Sequence, residues 1–154
     1  MTILAIDPGT ACGWAVRHSA TDYDSGVWDL SAKRHEGGGM RFLRCRQAVR
    51  EAIRMFKPTI VAYEEVRRHM GVDAAHVYGG IVAVISSECE AHDPPIPYRG
   101  FPVGTVKKLA TGKGNADKAA MLAAARLRWP AREWDDDNEA DARFIAETAA
   151  KELG

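Results

Sequence analysis

IDPGTACGWAV, residues 6–16, sets one aspartate at the end of a short apolar run and follows it at once with Pro8, Gly9 and Thr10. Ile3, Leu4, Ala5 and Ile6 lead into it without a polar interruption, the pattern of a strand buried on both faces, and Gly9 and Gly13 punctuate its end. Asp7 is therefore expected at a strand tip. A carboxylate is rarely buried unless it is paired or bound to a metal. Three readings stand open for Asp7: a satisfied structural carboxylate, a phosphate-loop residue or a metal ligand.

Working outward, β-forming residues at 14–17 and 23–30 flank a polar stretch at 19–22, which predicts two antiparallel strands joined by a turn. Three glycines at 37–39 break that pattern. Phe42, Cys45, Val49, Ile53 and Phe56 then recur at spacings of three and four, predicting an amphipathic helix that ends before Pro58. TIVAYEEV, 59–66, reads as another buried strand, and a long helix is expected over 73–92, stopped by Pro94 and Pro95 before a short strand at 96–99. Gly79 and Gly80 lie inside that helix, where each costs about 1 kcal/mol relative to Ala, so close packing against a sheet, another helix or a partner subunit is expected. Helices at 103–110 and 116–128 flank a Gly-rich loop, TGKGN, and a helical tail at 138–153 places Ala140, Phe144, Ile145, Thr148 and Ala149 on one face. The sum is a mixed α/β domain, one layered unit over 1–154 with helices covering a central sheet.

Composition narrows the function classes. With 154 residues, 46% hydrophobic and 27% charged, the chain suits a soluble domain with one core. Its 21 basic residues balance 21 acidic ones, so any affinity for a polyanion must come from how the charge is distributed. Cys12, Cys45 and Cys89 are odd in number, far apart and without a CxxC pair, which suggests neither a disulfide framework nor a cysteine zinc site and fits a reducing compartment. The longest apolar runs, 81–85 and 119–125, fall far short of a membrane span, and no signal peptide precedes the first strand, so a cytoplasmic protein without membrane contact is expected.

Three acidic sites separate from the surface background. If the strands ending in Asp7 and Glu64 are parallel neighbours, both carboxylates emerge at one edge of the sheet, where open α/β sheets place their sites. Glu65 points to the opposite face, so only one of the adjacent pair shares a pocket with Asp7. The third site is WDDDNEADARF, 134–144, where six acids crowd between Glu133 and Asp141. On a helix Asp137 lies about 40° from Asp141 around the axis, and Asn138 about 60° away on the other side. Carboxylates from three distant segments suit hard divalent cations and a two-metal phosphoryl-transfer site. The alternative is a solvated helix start favoured by the macrodipole, with Asp7 and Glu64 each paired to an arginine.

Four stretches, IDPGTACGWAV, AYEEV, VKKLATGKGNADK at 106–118 and NEADARFIA at 138–146, resemble in order and spacing the RuvC family of Holliday-junction resolvases. The likeness covers nearly the whole chain. It implies an RNase H-like fold, with a mixed central sheet and helices on both faces, and a homodimer. It further implies an endonuclease that cleaves Holliday junctions or other branched DNA by paired nicks, using two Mg²⁺ ions per site with Mn²⁺ as a substitute. By position, Asp7, Glu64 and Asp141 fall on acidic residues of the family site, and Lys107 and Lys118 on lysines near the DNA phosphates. Bacterial resolvases often carry aspartate or histidine three residues before the last aspartate. This chain has Asn138 there and Asp137 four before, a spacing similar to mitochondrial relatives. The fourth ligand is assigned to Asp137, with Asn138 as the competing position. Lys118 would offset charge on the phosphate, Asp135 and Asp136 are expected to be surface acids, and Asn138 is expected to supply a helix cap.

Where family members often carry a junction-probing aromatic after the second acid, Arg67, Arg68 and His69 stand here, so Arg67 and Arg68 are the expected DNA contacts, joined by Lys113 of the Gly-rich loop. GKG lacks the Ser or Thr of a nucleotide P-loop. The basic stretch 41–57 reads as a solvated helix face. Two rival functions remain open: a catalytically silent branched-DNA-binding protein of the same fold, against which the complete set of carboxylates argues, and a sugar-kinase or actin-like ATPase, which would need two such domains.

Overall fold

The computed structural model describes residues 1–69 and 71–154. Five strands form one sheet: β1 (Ile3–Asp7), β2 (Ala11–Arg17), β3 (Tyr23–Asp29), β4 (Ile60–Glu65) and β5 (Tyr98–Pro102), in the order β3-β2-β1-β4-β5. β1, β2 and β3 pair antiparallel, whereas β4 runs parallel to both β1 and β5. Among the described residues five helices connect and cover them: α1 (Gly39–Phe56), α2 (Val72–Ala91), α3 (Val103–Thr111), α4 (Lys118–Arg128) and α5 (Asp137–Leu153). A mixed sheet with helices on both faces is the architecture expected from the sequence.

The uninterrupted apolar run at the N-terminus makes β1 central, because alternate residues of a strand face opposite sides and both sides here are covered. Leu4 and Ile6 join Val16 and Val61 in a core closed by α1 and α2 through Val49, Ile53, Ile81 and Ile85. Ile3 and Ala5 join Ala62 and Phe101 in a second core closed by Val106 of α3, Met121 of α4 and Phe144 and Ile145 of α5. All four apolar residues of β1 are fully buried, which fixes its register and with it the position of Asp7 at its end.

Two expectations change. The last strand lies at Tyr98–Pro102, because Pro95 and Pro97 have no N–H to give a ladder, and Ile96 instead packs into the core beneath α1 and α2. Gly79 and Gly80 have separate roles. A Cβ on Gly80 would overlap the Phe42 ring of α1, so this glycine lets the two helices close together, whereas Gly79 faces open space. Among the described residues no helix is long and apolar enough to cross a membrane.

Candidate active site

Register brings the first two acids together. β1 and β4 pair with Ile6 opposite Tyr63, so Asp7 and Glu64 leave the sheet side by side at the same edge. Glu65 leaves on the other side and lies 3.6 Å from Arg67. The third acidic segment arrives through a glycine. Gly13 pairs with Asp7 across the β1–β2 ladder, and a Cβ on it would overlap the carbonyl group of Asn138. Only a residue without a side chain lets the first turn of α5 sit against the strand that borders Asp7.

The acid-rich start of α5 is a built helix terminus. Asp136 is its N-cap, accepting a 2.7 Å hydrogen bond from the Asn138 N–H, which satisfies one of the free amides of the first turn. Asp137 follows as the first helical residue and Asp141 one turn later. Two expectations are corrected here. Asp136 is a half-buried capping residue rather than a surface acid, and Asn138 lies inside the helix rather than at its cap.

The carboxylates act on one another. Burial holds Asp7 well above the ordinary carboxylate range, and the charges of Glu64, Asp141, Asp137 and Asp136 push it in the same direction. By exposed area Asp7 is only half-buried, yet its carboxyl is ringed by dense protein and by acids from two other elements. Burial, with Glu64, Asp137 and Asp136, raises Asp141 to about 8 against the lowering charge of Lys107. Glu64 is likewise raised by burial and lowered by Lys107. Lys118 Nζ lies 3.3 Å from Asp137 Oδ1. Among the described residues Asp141 Oδ1, which is buried, has no hydrogen-bond partner.

An orphaned carboxylate oxygen beside carboxyls that raise one another is an environment that a hard cation would stabilise, and the donors are all oxygens, so the residues fit divalent metal of the magnesium class. Among the described residues no three acidic, thiol or imidazole side chains are drawn tightly enough to form a finished coordination shell.

The remaining candidates lie around this centre. Arg67 is exposed on the loop after β4, as is Arg68. Lys113 lines a cleft of about 830 Å³ along α3 and α4 with Asn115, Asp117 and Arg128, and none of the four carboxylates borders it. Arg46 and Arg50 of α1 both pair with Glu88 of α2, Arg54 pairs with Glu51, and Arg44 with Glu36. Much of the basic charge of 41–57 is therefore met within the protein, in keeping with a solvated face.

Sequence reading missed three residues near the site. Gly13 was legible only as punctuation. Arg143, in the otherwise apolar stretch after Asp141, is buried among the rings of Tyr23, Trp134 and Trp129 at 4.9, 5.1 and 5.2 Å. Its Nε donates to Ser25 Oγ, which donates to Glu139, and Arg132 pairs with the same glutamate. Burial, aided by Arg132, pushes the guanidinium down to about 10. This cage ties the segment before α5 to β3 and so holds the turn that carries Asp136 and Asp137. The third is Tyr78, whose hydroxyl contacts the backbone at the end of β4.

A mixed sheet in this order, with helices on both faces and acids at the exits of its central strands, defines a domain of the RNase H-like nuclease class. The family model described as crossover junction endodeoxyribonuclease RuvC matches residues 3–148, and the chain belongs to that family. RuvC from Synechococcus sp. (strain WH7803) is 31% identical over 160 residues, covering 96% of this chain and 97% of the relative. RuvC from Nitratidesulfovibrio vulgaris (strain Hildenborough) is 31% identical over 122 residues, covering 77% and 71%. The fold matches that of T. thermophilus RuvC in complex with Holliday junction substrate at a TM-score of 0.82 and 24% identity, covering 99% of this chain and 94% of that one. It also matches the yeast mitochondrial Holliday junction resolvase at a TM-score of 0.64 and 12% identity, covering 95% and 76%. The RuvC family is one of metal-dependent nucleases.

Proposed function

We propose that this chain, as a single domain over 1–154, is a crossover junction endodeoxyribonuclease that cuts Holliday junctions and related branched DNA by paired nicks in the presence of Mg²⁺. The observation that carries this reading is the convergence of Asp7, Glu64, Asp137 and Asp141 from three distant segments, with one oxygen of Asp141 buried and unpartnered. These four residues would hold two Mg²⁺ ions, with Mn²⁺ as a substitute, and the bound cations would supply positive charge to the scissile phosphate and acidify the attacking water.

The protein's own groups do the rest. Lys107, whose charge already bears on Glu64 and Asp141, and Lys118, which lies at Asp137, would offset the charge that develops on the phosphate. Water adds to phosphorus, the bond to the 3′ oxygen breaks, and the products carry a 5′ phosphate and a 3′ hydroxyl. Arg67, Arg68 and Lys113 hold the flanking backbone through contacts that position the DNA without reading its sequence.

Paired nicks need two active sites, and one chain provides one acidic cluster. We assign the second to another copy of the chain, docked through α2. On that helix Val72, His76, Gly79, Ala83 and Ser87 fall on one exposed face, and Val72 is 69% exposed. An isologous dimer through this face would relate two sites by a two-fold axis, matching the symmetry of a four-way junction. Incubating the purified protein with labelled four-way, forked and linear DNA in Mg²⁺ tests the whole reading. Symmetric cuts in the four-way substrate support it, and equal cutting of linear DNA rejects it.

A further inference from the structure

We infer that Tyr78 is a positioning residue that presets Glu64 for cation binding by clasping the backbone on both sides of Glu65; the inference rests on Glu64 being a metal ligand. The Tyr78 hydroxyl donates to the Glu64 carbonyl at 3.0 Å and accepts from the Val66 N–H at 3.0 Å. One side chain of α2 thus satisfies both backbone groups on the β1 side of β4, where the ladder to β1 stops at Tyr63 while β5 still pairs as far as Glu65. Its ring packs against His69 with centroids 4.8 Å apart, and His69 Nε2 lies 3.2 Å from the Val66 carbonyl, so the chain is folded back over the tyrosine immediately after the clasp.

The placement is close to both central strand exits. Pro8, Gly9 and Thr10, the turn that follows Asp7, share a cleft of about 330 Å³ with Val66, His69 and Tyr78. A carboxylate at the end of a strand moves with its backbone, and the charge of Glu64 bears on both Asp7 and Asp141. Fixing the peptide groups before and after Glu65 removes that freedom. This is the role that outer-shell hydrogen bonds play for metal ligands, where their loss weakens the metal by about 10–100-fold. In this protein the outer contact is made to the ligand's main chain rather than to its carboxyl group.

The test compares Tyr78→Phe with Glu64→Gln by titrating each DNA-free protein with Mn²⁺ and following free Mn²⁺ by electron paramagnetic resonance, alongside melting curves and cleavage at saturating Mn²⁺. Tyr78→Phe keeps the ring and removes the clasp. It should bind Mn²⁺ about tenfold more weakly, melt close to wild type and regain most of its cleavage rate when Mn²⁺ saturates. Wild-type affinity in Tyr78→Phe, with binding lost in Glu64→Gln, would overturn the inference and leave the ligand assignment standing. Wild-type affinity in Glu64→Gln would instead remove the assignment itself. A measurement on the unmutated protein keeps the inference testable even if Tyr78→Phe fails to fold: hydrogen exchange of the Val66 amide should be slow before any cation is added. An amide that exchanges freely without cation and becomes protected only with Mg²⁺ would show that the metal, and not Tyr78, orders this turn.

Discussion

The ammonium group of Lys118 lies 3.3 Å from Asp137 Oδ1, and the two residues open successive helices, α4 and α5. The lysine is two-thirds exposed, and such pairs contribute about 0–1 kcal/mol to stability, so the contact matters more for charge than for folding. Lys118 occupies an acid that we assign to a cation. The two therefore compete for Asp137, and the lysine becomes free to meet a phosphate once a metal is bound. Lys118→Met should slow cleavage about 100-fold at saturating Mg²⁺. It should also lower, not raise, the Mg²⁺ concentration needed for half-maximal rate. Single-turnover cleavage across a Mg²⁺ series measures both, and a raised requirement would show that the lysine assists metal binding instead of competing with it.

Burial and the charges of neighbouring acids hold Asp141 at about 8 and Asp7 above its usual range, and burial raises Glu64 against the lowering charge of Lys107. Between about pH 4 and pH 8 the folded protein thus retains protons that the unfolded chain has released, and stability falls as pH rises through that interval. A divalent cation reverses the sign by favouring the ionised carboxylates. The melting temperature of the metal-free protein should drop from about pH 5 to about pH 8.5, and millimolar Mg²⁺ should raise it more at the higher pH. Equal Mg²⁺ shifts at both pH values would count against a carboxylate site.

Gly13→Ala should be more damaging than a surface substitution of the same size. The added Cβ meets the main chain of Asn138, which cannot rotate aside, so α5 or β2 must shift. Overpacking of this kind costs about 1–3 kcal/mol. Because the shift falls beside Asp7 and Asp137, cleavage should fall further than the loss of folded protein accounts for. Urea denaturation paired with cleavage per folded molecule checks both parts, whereas Gly79→Ala, which meets open space inside a helix, should be more stable than wild type by up to about 1 kcal/mol.

How much of this was legible in the sequence depends on range. The β1 run and the α1 periodicity are local signals, and the structure has both elements; the acids at 7, 64, 137 and 141 are as local in the sequence, and the elements that carry them are β1, β4 and α5. What could not be read are contacts between segments far apart in sequence. That Gly13 marks the seat of α5 depends on the Asn138 carbonyl 125 positions away, and that Arg143 is caged depends on Tyr23 and two tryptophans from another turn. Asp136 was misread because a capping aspartate and a solvated one have the same neighbours until the helix start is fixed to the residue.

Arg67 and Arg68 stand on the loop that leaves Glu64, and the nearest carboxylate contact of Arg67, to Glu65, is long and exposed. If both arginines meet phosphates, their joint replacement by alanine should weaken junction binding and flatten its salt dependence by about 0.9 log units per log unit of salt for each phosphate no longer neutralised. Affinities measured across a salt series decide this; a weaker complex with an unchanged slope would place the two arginines away from the backbone.

The choice of Asp137 or Asn138 as the fourth ligand follows from charge and from the helix start. Both lie in the first turn of α5, but an ionised carboxylate attracts a divalent cation far more than a neutral amide oxygen does. Asp137 also belongs electrostatically to the cluster, since its charge raises both Asp7 and Asp141. Asp137→Asn should therefore cut the rate by orders of magnitude and raise the Mg²⁺ requirement. Asn138→Ala should do little, because the cap it was expected to supply is made by Asp136. Asp136→Ala in turn should cost about 1 kcal/mol of stability through removal of the hydrogen bond to the Asn138 N–H. It should change the Mg²⁺ requirement less than Asp137→Asn does. Melting curves and Mg²⁺ titrations of the three variants separate the roles. An inactive Asn138→Ala beside a near-normal Asp137→Asn would move the ligand to the position three residues before Asp141 and refute the assignment.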